Sequence, residues 1–289
     1  MSLAFDHDET LDEAIARNVR DALMEDIGRG DWTAQLVPAG RRVHAAVTAK
    51  EAAVICGRPW FDGCMRAVDA ATRVEWTLNE GDRVAAGTVV CRLEGEARAL
   101  LSAERPSLNF LQTLSSVATV TRQYVDAIAG ASPHPRGCAI LDTRKTLPGL
   151  RQAQKYAVRV GGGQNQRLAL WHGILIKENH IAAAGGVGQA LRAAQALNAG
   201  VEIQIEVENL DELRQALEAG ATRVLIDDFS REDMRRAVAL NAGRALLEVS
   251  GGVDLAVVRE IAATGVDRIS IGKLTKDVRA IDLSMRVLG

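Results

Sequence analysis

The chain has 289 residues, of which 47% are hydrophobic and 25% are charged, and it carries a formal net charge of −2 at pH 7. This length can bury the core of one large or two medium domains, and the near-neutral balance gives no reason to expect a nucleic-acid or membrane partner. Aromatic residues make up only 3%, which argues against a surface that stacks bases.

The sequence also indicates where the protein works. No apolar run is long enough to span a bilayer, and the acidic N-terminal segment does not resemble a signal peptide. The four cysteines are scattered and form no C-x-x-C pair, so we expect them to be reduced, mostly buried thiols: Cys56, Cys64, Cys91 and Cys138. Together these features predict a cytoplasmic protein.

The first part of the chain predicts a small α+β domain. Residues 9–27 carry apolar side chains at helical spacing up to Gly28, and four short β-like runs follow at 43–49, 53–56, 73–78 and 88–93. Residues 99–130 return to helical periodicity, in which Pro106 is expected to mark a helix start or a break.

The rest of the chain alternates between strand-like and helical segments. The predicted strands are 138–141, 173–177, 201–208, 223–227, 245–250 and 268–272. The predicted helices are 149–160, 187–198, 210–219, 230–241 and 254–263. Repeated β-α units predict a parallel sheet covered by helices. With six strands, and no dinucleotide-binding glycine motif after the first, the pattern favours a closed α/β barrel over an open doubly wound sheet.

Polar residues follow each predicted strand, and their chemistry changes in order along the chain. The first two strand ends are cationic, the middle two acidic and the last two rich in glycine: Asp142, Arg144 and Lys145; Lys177 and Glu178; Glu206 and Glu208; Asp227 and Asp228; Ser250 to Gly252; Gly272 and Lys273. Active sites of β/α barrels lie at the C-terminal ends of the strands. The order therefore predicts one elongated ligand with chemically distinct parts.

Each group of strand ends suits a different part of such a ligand. Glycine- and serine-rich late loops present backbone N–H groups to phosphate. Paired acids suit Mg²⁺ or sugar hydroxyls, and cations suit carboxylates or pyrophosphate. A further glycine-rich turn at 161–163 leads into Gln166 and Arg167, which adds another guanidinium.

These residues closely resemble the quinolinate phosphoribosyltransferase family (nicotinate-nucleotide pyrophosphorylase, carboxylating). The longest matching segment is DTRKTLPGLRQAQKYAVRVGGGQNQR, followed by ILIKENHI. Shorter matches run in order along nearly the whole chain: EDIGRGDWT, AERPSLNFLQTLSSVATVTRQYV, IEVEN, LIDDF, EVSGGV and SIGKLT.

The resemblance implies both a fold and a reaction. The fold would be an N-terminal open-faced α+β sandwich, residues 1–117 joined by the C-terminal segment 277–289, and a TIM-like α/β barrel of six to seven strands at 118–276. Members convert quinolinate and phosphoribosyl pyrophosphate to nicotinate mononucleotide, pyrophosphate and CO2, with Mg²⁺, in NAD biosynthesis. They are commonly homodimers with shared active sites, and a hexamer is the alternative.

The resemblance also assigns residues to the quinolinate end of the site. Arg144 and Arg167 would bind the two carboxylates, with Lys177 beside them. Gln166 stands where many members have histidine, so it can donate a hydrogen bond there but carries no charge. Arg105 would reach the same pocket from the neighbouring subunit.

The other end of the site would hold phosphoribosyl pyrophosphate. Lys145 would face the pyrophosphate, and Glu206 and Asp227 would hold the ribose hydroxyls and, through water, Mg²⁺. The 5′-phosphate would be bound by Ser250, Gly251, Gly272 and Lys276, of which Lys276 replaces a common histidine. Lys145, Glu206 and Asp227 are the predicted catalytic residues.

Some alternatives stay open at this point. Asp142 is expected to orient a neighbouring cation, Glu208 to be a structural acid, and His180 either to hold its loop or to touch substrate. The rival functions are a paralogous pyrophosphorylase-like enzyme that acts on another acid, such as the one associated with molybdenum transport, and a phosphosugar-binding protein without catalysis. The intact set of Arg144, Arg167 and Lys177 favours quinolinate.

Overall fold

The computed structural model describes residues 8–288, and it divides into two compact units. Within these residues the first unit comprises 8–120, 147–161 and 277–288, and the second comprises 121–146 and 162–276. The helices are α1 (Leu11–Asp26), α2 (Arg58–Val68), α3 (Ala97–Ile128), α4 (Arg151–Val160), α5 (Glu178–Ala184), α6 (Val187–Ala196), α7 (Leu210–Glu218), α8 (Arg231–Asn241), α9 (Val258–Ala262) and α10 (Lys273–Lys276). The strands are β1 (Arg42–Ala49), β2 (Ala53–Val54), β3 (Arg73–Trp76), β4 (Arg83–Val84), β5 (Val89–Glu96), β6 (Ala139–Leu141), β7 (Gly173–Ile176), β8 (Glu202–Val207), β9 (Arg223–Ile226), β10 (Leu246–Val249), β11 (Arg268–Ser270) and β12 (Leu283–Leu288).

The first unit is built on an antiparallel sheet with strand order β12-β1-β5-β3. The sheet buries alternate side chains, as its period of two requires, against α2 and α3. The sequence did not predict α2, yet its signal was present: Trp60, Phe61, Cys64 and Met65 have helical spacing and all lie in the core. The predicted α+β domain is therefore confirmed, with one helix more than expected.

The prediction for Pro106 is wrong, because this residue lies inside the continuous helix α3. A proline in a helix interior removes one backbone hydrogen bond and costs about 3 kcal/mol. Buried side chains at helical spacing continue on both sides of it, including Leu100, Ala103, Leu108 and Leu111, each 0% exposed. Burial of this apolar stripe offsets the local cost of the proline, so the helix is not interrupted.

The second unit contains a six-stranded parallel sheet with strand order β6-β11-β10-β9-β8-β7. Its strands are largely buried, as expected where helices cover the outer face and side chains fill the inner one. The predicted helix 254–263 is shorter than expected. Asp254 accepts hydrogen bonds from the backbone of Ala256 and Val257, and α9 begins only at Val258.

The two edge strands of this sheet are connected by residues 164–167. Gln164 forms a parallel bridge with Leu141 at the end of β6, and its N–H donates to the Ile140 carbonyl at 2.8 Å. On the other side, Arg167 Nη1 donates to the carbonyl of Gly173, the first residue of β7, at 2.8 Å. The short segment therefore takes the place of an incomplete seventh strand, which agrees with the predicted barrel of six to seven strands.

Candidate active site

All six parallel strands of the second unit run in the same direction, so their C-terminal ends lie at one edge of the sheet. The residues that follow these strands are the polar ones singled out from the sequence. The two cationic ends, β6 and β7, are the outermost strands of the pairing order, and residues 164–167 lie between them.

Lys145 is fixed through its backbone on both sides. Its N–H donates to Thr143 Oγ1 at 3.1 Å, and its carbonyl accepts from the buried hydroxyl of Thr275 at 2.7 Å. Its side chain packs on Gly272, where an added Cβ would lie 3.1 Å from Lys145 Cδ. Two predicted site residues, Lys145 and Gly272, are thus brought together, and a side chain at position 272 would crowd the packed side chain of Lys145. Sequence reasoning missed both threonines.

Arg144 and Arg167 lie close enough for their positive charges to repel each other. The pKa of Arg167 is lowered, first because the guanidinium is partly buried and second because of the positive charge of Arg144. Two like charges held together in a partly desolvated place repel each other, and a bound dianion relieves that repulsion. The pair is therefore arranged to receive a ligand with two negative charges.

Asp142 anchors the segment that carries Arg167. Its carboxylate is fully buried and accepts from Asn165 Nδ2 at 2.5 Å and from the Gln166 N–H at 2.9 Å. The expectation that Asp142 orients a neighbouring cation stays a prediction. Its role in holding residues 165–166 against the end of β6 was not foreseen.

Lys177 and Glu206 form an ion pair, although they were predicted to bind different parts of the substrates. Lys177 Nζ lies 2.9 Å from Glu206 Oε1 and 2.7 Å from Oε2. His180 Nδ1 accepts a hydrogen bond from the Lys177 N–H at 3.0 Å, so His180 holds the start of α5. Of the two roles considered for His180, the structural one is thus observed.

Glu206 also lines a small acidic cavity of about 210 Å³. The other polar residues around it are Glu178, Glu208 and Glu212. The Glu208 N–H donates to Glu212 Oε2 at 2.9 Å, which agrees with a structural place for Glu208.

Asp227 lies against the glycine-rich end of β10. Gly251 has φ +93°, and a Cβ added there would lie 3.0 Å from Asp227 Oδ1. Glycine is required at 251 both by this left-handed backbone and by the close approach of the carboxylate. Ser250 is half-buried beside it, and Lys276 is exposed at the end of α10, with its N–H bonded to the Gly272 carbonyl at 3.1 Å.

Arg105 belongs to the first unit, where it lies on α3. Its guanidinium is largely exposed and is 3.7 Å from the carboxylate of Glu104. Its predicted role in a neighbouring subunit's site stays a prediction.

The described residues fit Mg²⁺ only as a partly hydrated ion. Residues 8–288 contain no group of three or more His, Cys, Asp or Glu side chains placed to hold a metal. Glu206 and Asp227 supply carboxylates at this end of the sheet, and Mg²⁺ usually keeps several waters and takes the rest of its ligands from phosphates. Binding through water and substrate is therefore the mode that suits this donor set.

Two buried polar residues inside the barrel, Gln204 and Glu248, were also missed. Gln204 Nε2 donates to Glu248 Oε2 at 3.0 Å, and both side chains are almost fully buried. The signal for Gln204 was its position two residues before Glu206, on the same face of β8.

Replacing Glu248 by glutamine should stabilise the protein more as the pH rises. Burial raises the pKa of Glu248 above its ordinary value of 4.5. A buried acid with a raised pKa weakens the fold as the pH rises above the unfolded-state value, because the folded state must then hold a proton or a buried charge. We expect Glu248→Gln to be more stable than the wild-type protein at pH 7 and to differ little from it at pH 4. Urea unfolding across this range measures the difference, and a gain that shrinks with rising pH would contradict it.

No helix among residues 8–288 is long and apolar enough to cross a membrane. In the same range the four cysteines are free, and three of them, Cys56, Cys64 and Cys91, are buried, as the sequence predicted. Burial raises the pKa of the Cys64 thiol to about 12, which makes this thiol unreactive near neutral pH.

Comparison with known proteins gives one consistent result. Residues 31–115 match the model of the quinolinate phosphoribosyl transferase N-terminal domain, and residues 117–286 match that of the C-terminal domain. A probable nicotinate-nucleotide pyrophosphorylase [carboxylating] from Bacillus subtilis is 38% identical over 91% of this chain and 90% of its own length. The Mycobacterium leprae nicotinate-nucleotide pyrophosphorylase is 40% identical over 94% and 97%.

The solved structures agree with these sequence relatives. The nicotinate-nucleotide pyrophosphorylase from Francisella tularensis superposes with a TM-score of 0.92 at 42% identity, covering 97% of this chain and 98% of that one. Both domain models therefore match in order, and full-length relatives share the fold and well over a third of the residues. The chain belongs to the quinolinate phosphoribosyltransferase family.

Proposed function

We propose that this protein transfers the phosphoribosyl group of phosphoribosyl pyrophosphate to quinolinate and releases CO2, giving nicotinate mononucleotide and pyrophosphate for NAD biosynthesis. Its curated relatives are named for this activity, among them quinolinate phosphoribosyltransferase [decarboxylating] 2 from Nicotiana glauca, 38% identical over 92% of this chain. The reaction joins two polyanions, so its site needs several cations, which the ends of β6 and β7 supply.

The observation that carries the proposal is the pairing of Arg144 with Arg167. Arg167 is partly desolvated, and the positive charge of Arg144 already lowers its pKa in the protein without a ligand. Quinolinate presents two carboxylates on one flat ring, and planar guanidinium groups bind carboxylates through two parallel hydrogen bonds. Gln166 and Lys177 complete the acid-binding end, with Lys177 shared between the substrate and Glu206.

Phosphoribosyl pyrophosphate binds to Lys145 and to the residues at the other strand ends. Lys145 faces the pyrophosphate, Glu206 and Asp227 hold the ribose hydroxyls, and the 5′-phosphate is bound by Ser250, Gly251, Gly272 and Lys276. Glu206 and Asp227 would also hold Mg²⁺ through water. When bound, that ion would offset charge on the pyrophosphate.

The residues then act on charges that develop during the reaction. The quinolinate nitrogen attacks the anomeric carbon as the bond to pyrophosphate breaks, which leaves positive charge on the ribose ring. The carboxylates of Glu206 and Asp227 stabilise that charge, and Lys145 stabilises the leaving oxygen. The C2 carboxylate then leaves as CO2, the pyridinium ring accepts the electron pair, and C2 takes a proton from solvent. No covalent enzyme intermediate is needed.

A direct assay tests the proposal. Purified, folded protein is incubated with quinolinate, phosphoribosyl pyrophosphate and Mg²⁺, and both CO2 and nicotinate mononucleotide are measured. CO2 and nicotinate mononucleotide should form in equal amounts. Nicotinate in place of quinolinate should react poorly, because one arginine is then left without a carboxylate. Absence of product from the folded protein would refute the activity.

We also propose that the protein works as a homodimer whose sites are shared, with Arg105 supplied by the neighbouring subunit. An Arg105→Ala variant and a Lys145→Ala variant should each be nearly inactive. After subunit exchange, an equal mixture should recover up to about a quarter of the wild-type activity, because about half of the dimers are then mixed and one of the two sites in each has neither substitution. Subunit exchange is verified by mass spectrometry. Verified exchange without recovered activity would count against a shared site. A hexamer of such dimers and a cytoplasmic location are compatible with the proposal.

A further inference from the structure

The interior of the barrel contains a row of polar side chains that no part of the proposed mechanism uses. Gln204 on β8 is 6% exposed, Glu248 on β10 is 2% exposed, and Ser270 on β11 is 4% exposed. Polar groups are expensive to bury, and these lie among apolar strands. Their hydrogen-bond partners give a reason for this burial.

A directed chain of hydrogen bonds connects two of these residues, Gln204 and Glu248, to the candidate site. The Arg167 N–H donates to Gln166 Oε1 at 2.6 Å, Gln166 Nε2 donates to Gln204 Oε1 at 2.6 Å, and Gln204 Nε2 donates to Glu248 Oε2 at 3.0 Å. The chain starts next to the guanidinium that receives a carboxylate and ends on a buried acid.

The polarity of this chain is fixed at both ends. A backbone N–H can only donate, and a carboxylate oxygen accepts, so only one orientation of the two amides satisfies every bond. If either glutamine turned its amide over, two donors or two acceptors would face each other in a buried place, which is costly. Glu248 therefore sets the orientation of Gln204, and Gln204 sets that of Gln166.

The surroundings of Glu248 keep it in place as the end of the chain. Its Oε1 makes no hydrogen bond of normal geometry among residues 8–288, although Ser270 lies close enough to lower its pKa, as do the charges of Arg268 and Arg223. Burial outweighs these effects, together with the hydrogen bond from Gln204, and raises the pKa. Whether it is protonated on Oε1 or ionised, Oε2 still accepts from Gln204, so the order of the chain is the same in both states.

We propose that Gln204 and Glu248 are positioning residues for quinolinate binding: they fix the side chain of Gln166 and, through its bond to the Arg167 N–H, the backbone that presents the Arg167 guanidinium. This inference rests on the proposed function, because it takes quinolinate as the ligand of Arg167. Neither residue needs to touch the substrate. The phosphoribosyl pyrophosphate end of the site is outside the chain of bonds.

The test compares two substitutions of the same residue. Glu248→Leu removes the acceptor, whereas Glu248→Gln keeps an oxygen that can accept from Gln204. We expect Glu248→Leu to raise the KM for quinolinate about 10-fold, the effect of losing one buried hydrogen bond. Its KM for phosphoribosyl pyrophosphate and its kcat should stay within about 3-fold, and Glu248→Gln should be near wild type in all three. Crystal structures should show Gln166 displaced only in the leucine variant.

Each outcome decides the question. A folded Glu248→Leu protein with an unchanged KM for quinolinate would overturn the proposal, and so would a Glu248→Gln protein as impaired as the leucine variant. If Glu248→Leu does not fold, Gln204→Leu replaces it with the same expected results, and failure of both to fold shows a purely structural role. A wild-type protein without activity would refute the proposed function instead, and the position of Gln166 in the crystals would still decide this inference.

Discussion

Replacing Lys145 by alanine should lower kcat by about 100- to 1,000-fold, the usual effect of removing one group that stabilises charge in a transition state. In the proposed mechanism the ammonium group faces an oxygen whose negative charge grows as pyrophosphate departs, so its contribution would be larger in the transition state than in the bound substrate. The backbone of Lys145 is held by Thr143 and Thr275 rather than by its own side chain, so the loop should keep its shape. The substitution should therefore lower kcat much more than it changes the KM for quinolinate or for phosphoribosyl pyrophosphate.

Lys273→Ala is the matched control for this loss of charge. Lys273 is an exposed lysine that directly follows Gly272, the residue on which Lys145 packs. Its removal lowers the net charge by the same amount, and kcat should stay within about 3-fold of wild type. Equal losses in the two variants would show that general electrostatic attraction, and not the position of Lys145, is responsible.

Replacing Arg167 by leucine should impair quinolinate binding and, at the same time, leave the unliganded protein as stable as before or slightly more so. The KM for quinolinate should rise about 100-fold, because a charge-assisted pair of hydrogen bonds to one carboxylate is lost. Stability should not fall, because the substitution removes the repulsion between Arg167 and Arg144 in a partly desolvated place. Since the Arg167 guanidinium is only partly buried and solvent screens much of the repulsion, we expect a gain of only about a few tenths of a kcal/mol.

Thermal unfolding with and without quinolinate measures both effects. Saturating quinolinate should raise the Tm of the wild-type protein and should have little effect on Arg167→Leu. Arg235→Leu, which removes an exposed arginine from α8, should leave the KM for quinolinate and the ligand-induced change in Tm unaltered. A clear loss of stability in unliganded Arg167→Leu would show that the hydrogen bond to the Gly173 carbonyl matters more than the repulsion.

The sequence was sufficient for those features that follow from periodicity and from chain direction. Parallel strands of a β-α repeat must end at one edge, so the sequence alone assigns Lys145, Glu206 and Asp227 to one end of the barrel. The sequence was not sufficient where the local preference of a residue and the burial of its neighbours favour different structures. Pro106 breaks helices locally, but burial on both sides of it decided the outcome.

Side-chain partners were also beyond the sequence. Nothing in the order of residues indicates that Lys177 pairs with Glu206, which is 29 positions away, or that Gln166 bonds to Gln204. Such pairs depend on how far neighbouring strands are shifted along each other, and periodicity does not determine that shift. The buried acid Glu248 was missed because its strand reads as mostly apolar, and a single inward-facing carboxylate leaves that pattern unchanged.

The short segment 164–167 gives the barrel a seam. A full strand would close the cylinder with a ladder of backbone hydrogen bonds, whereas here the backbone pairing is the bridge between Gln164 and Leu141, and side chains such as those of Asp142 and Arg167 supply further bonds. The seam should therefore open more readily than the rest of the wall, and amide hydrogens there should exchange early. Because Gln166 and Arg167 belong to this segment, quinolinate bound to them would also close the seam, and occupation of the site would tighten the whole cylinder.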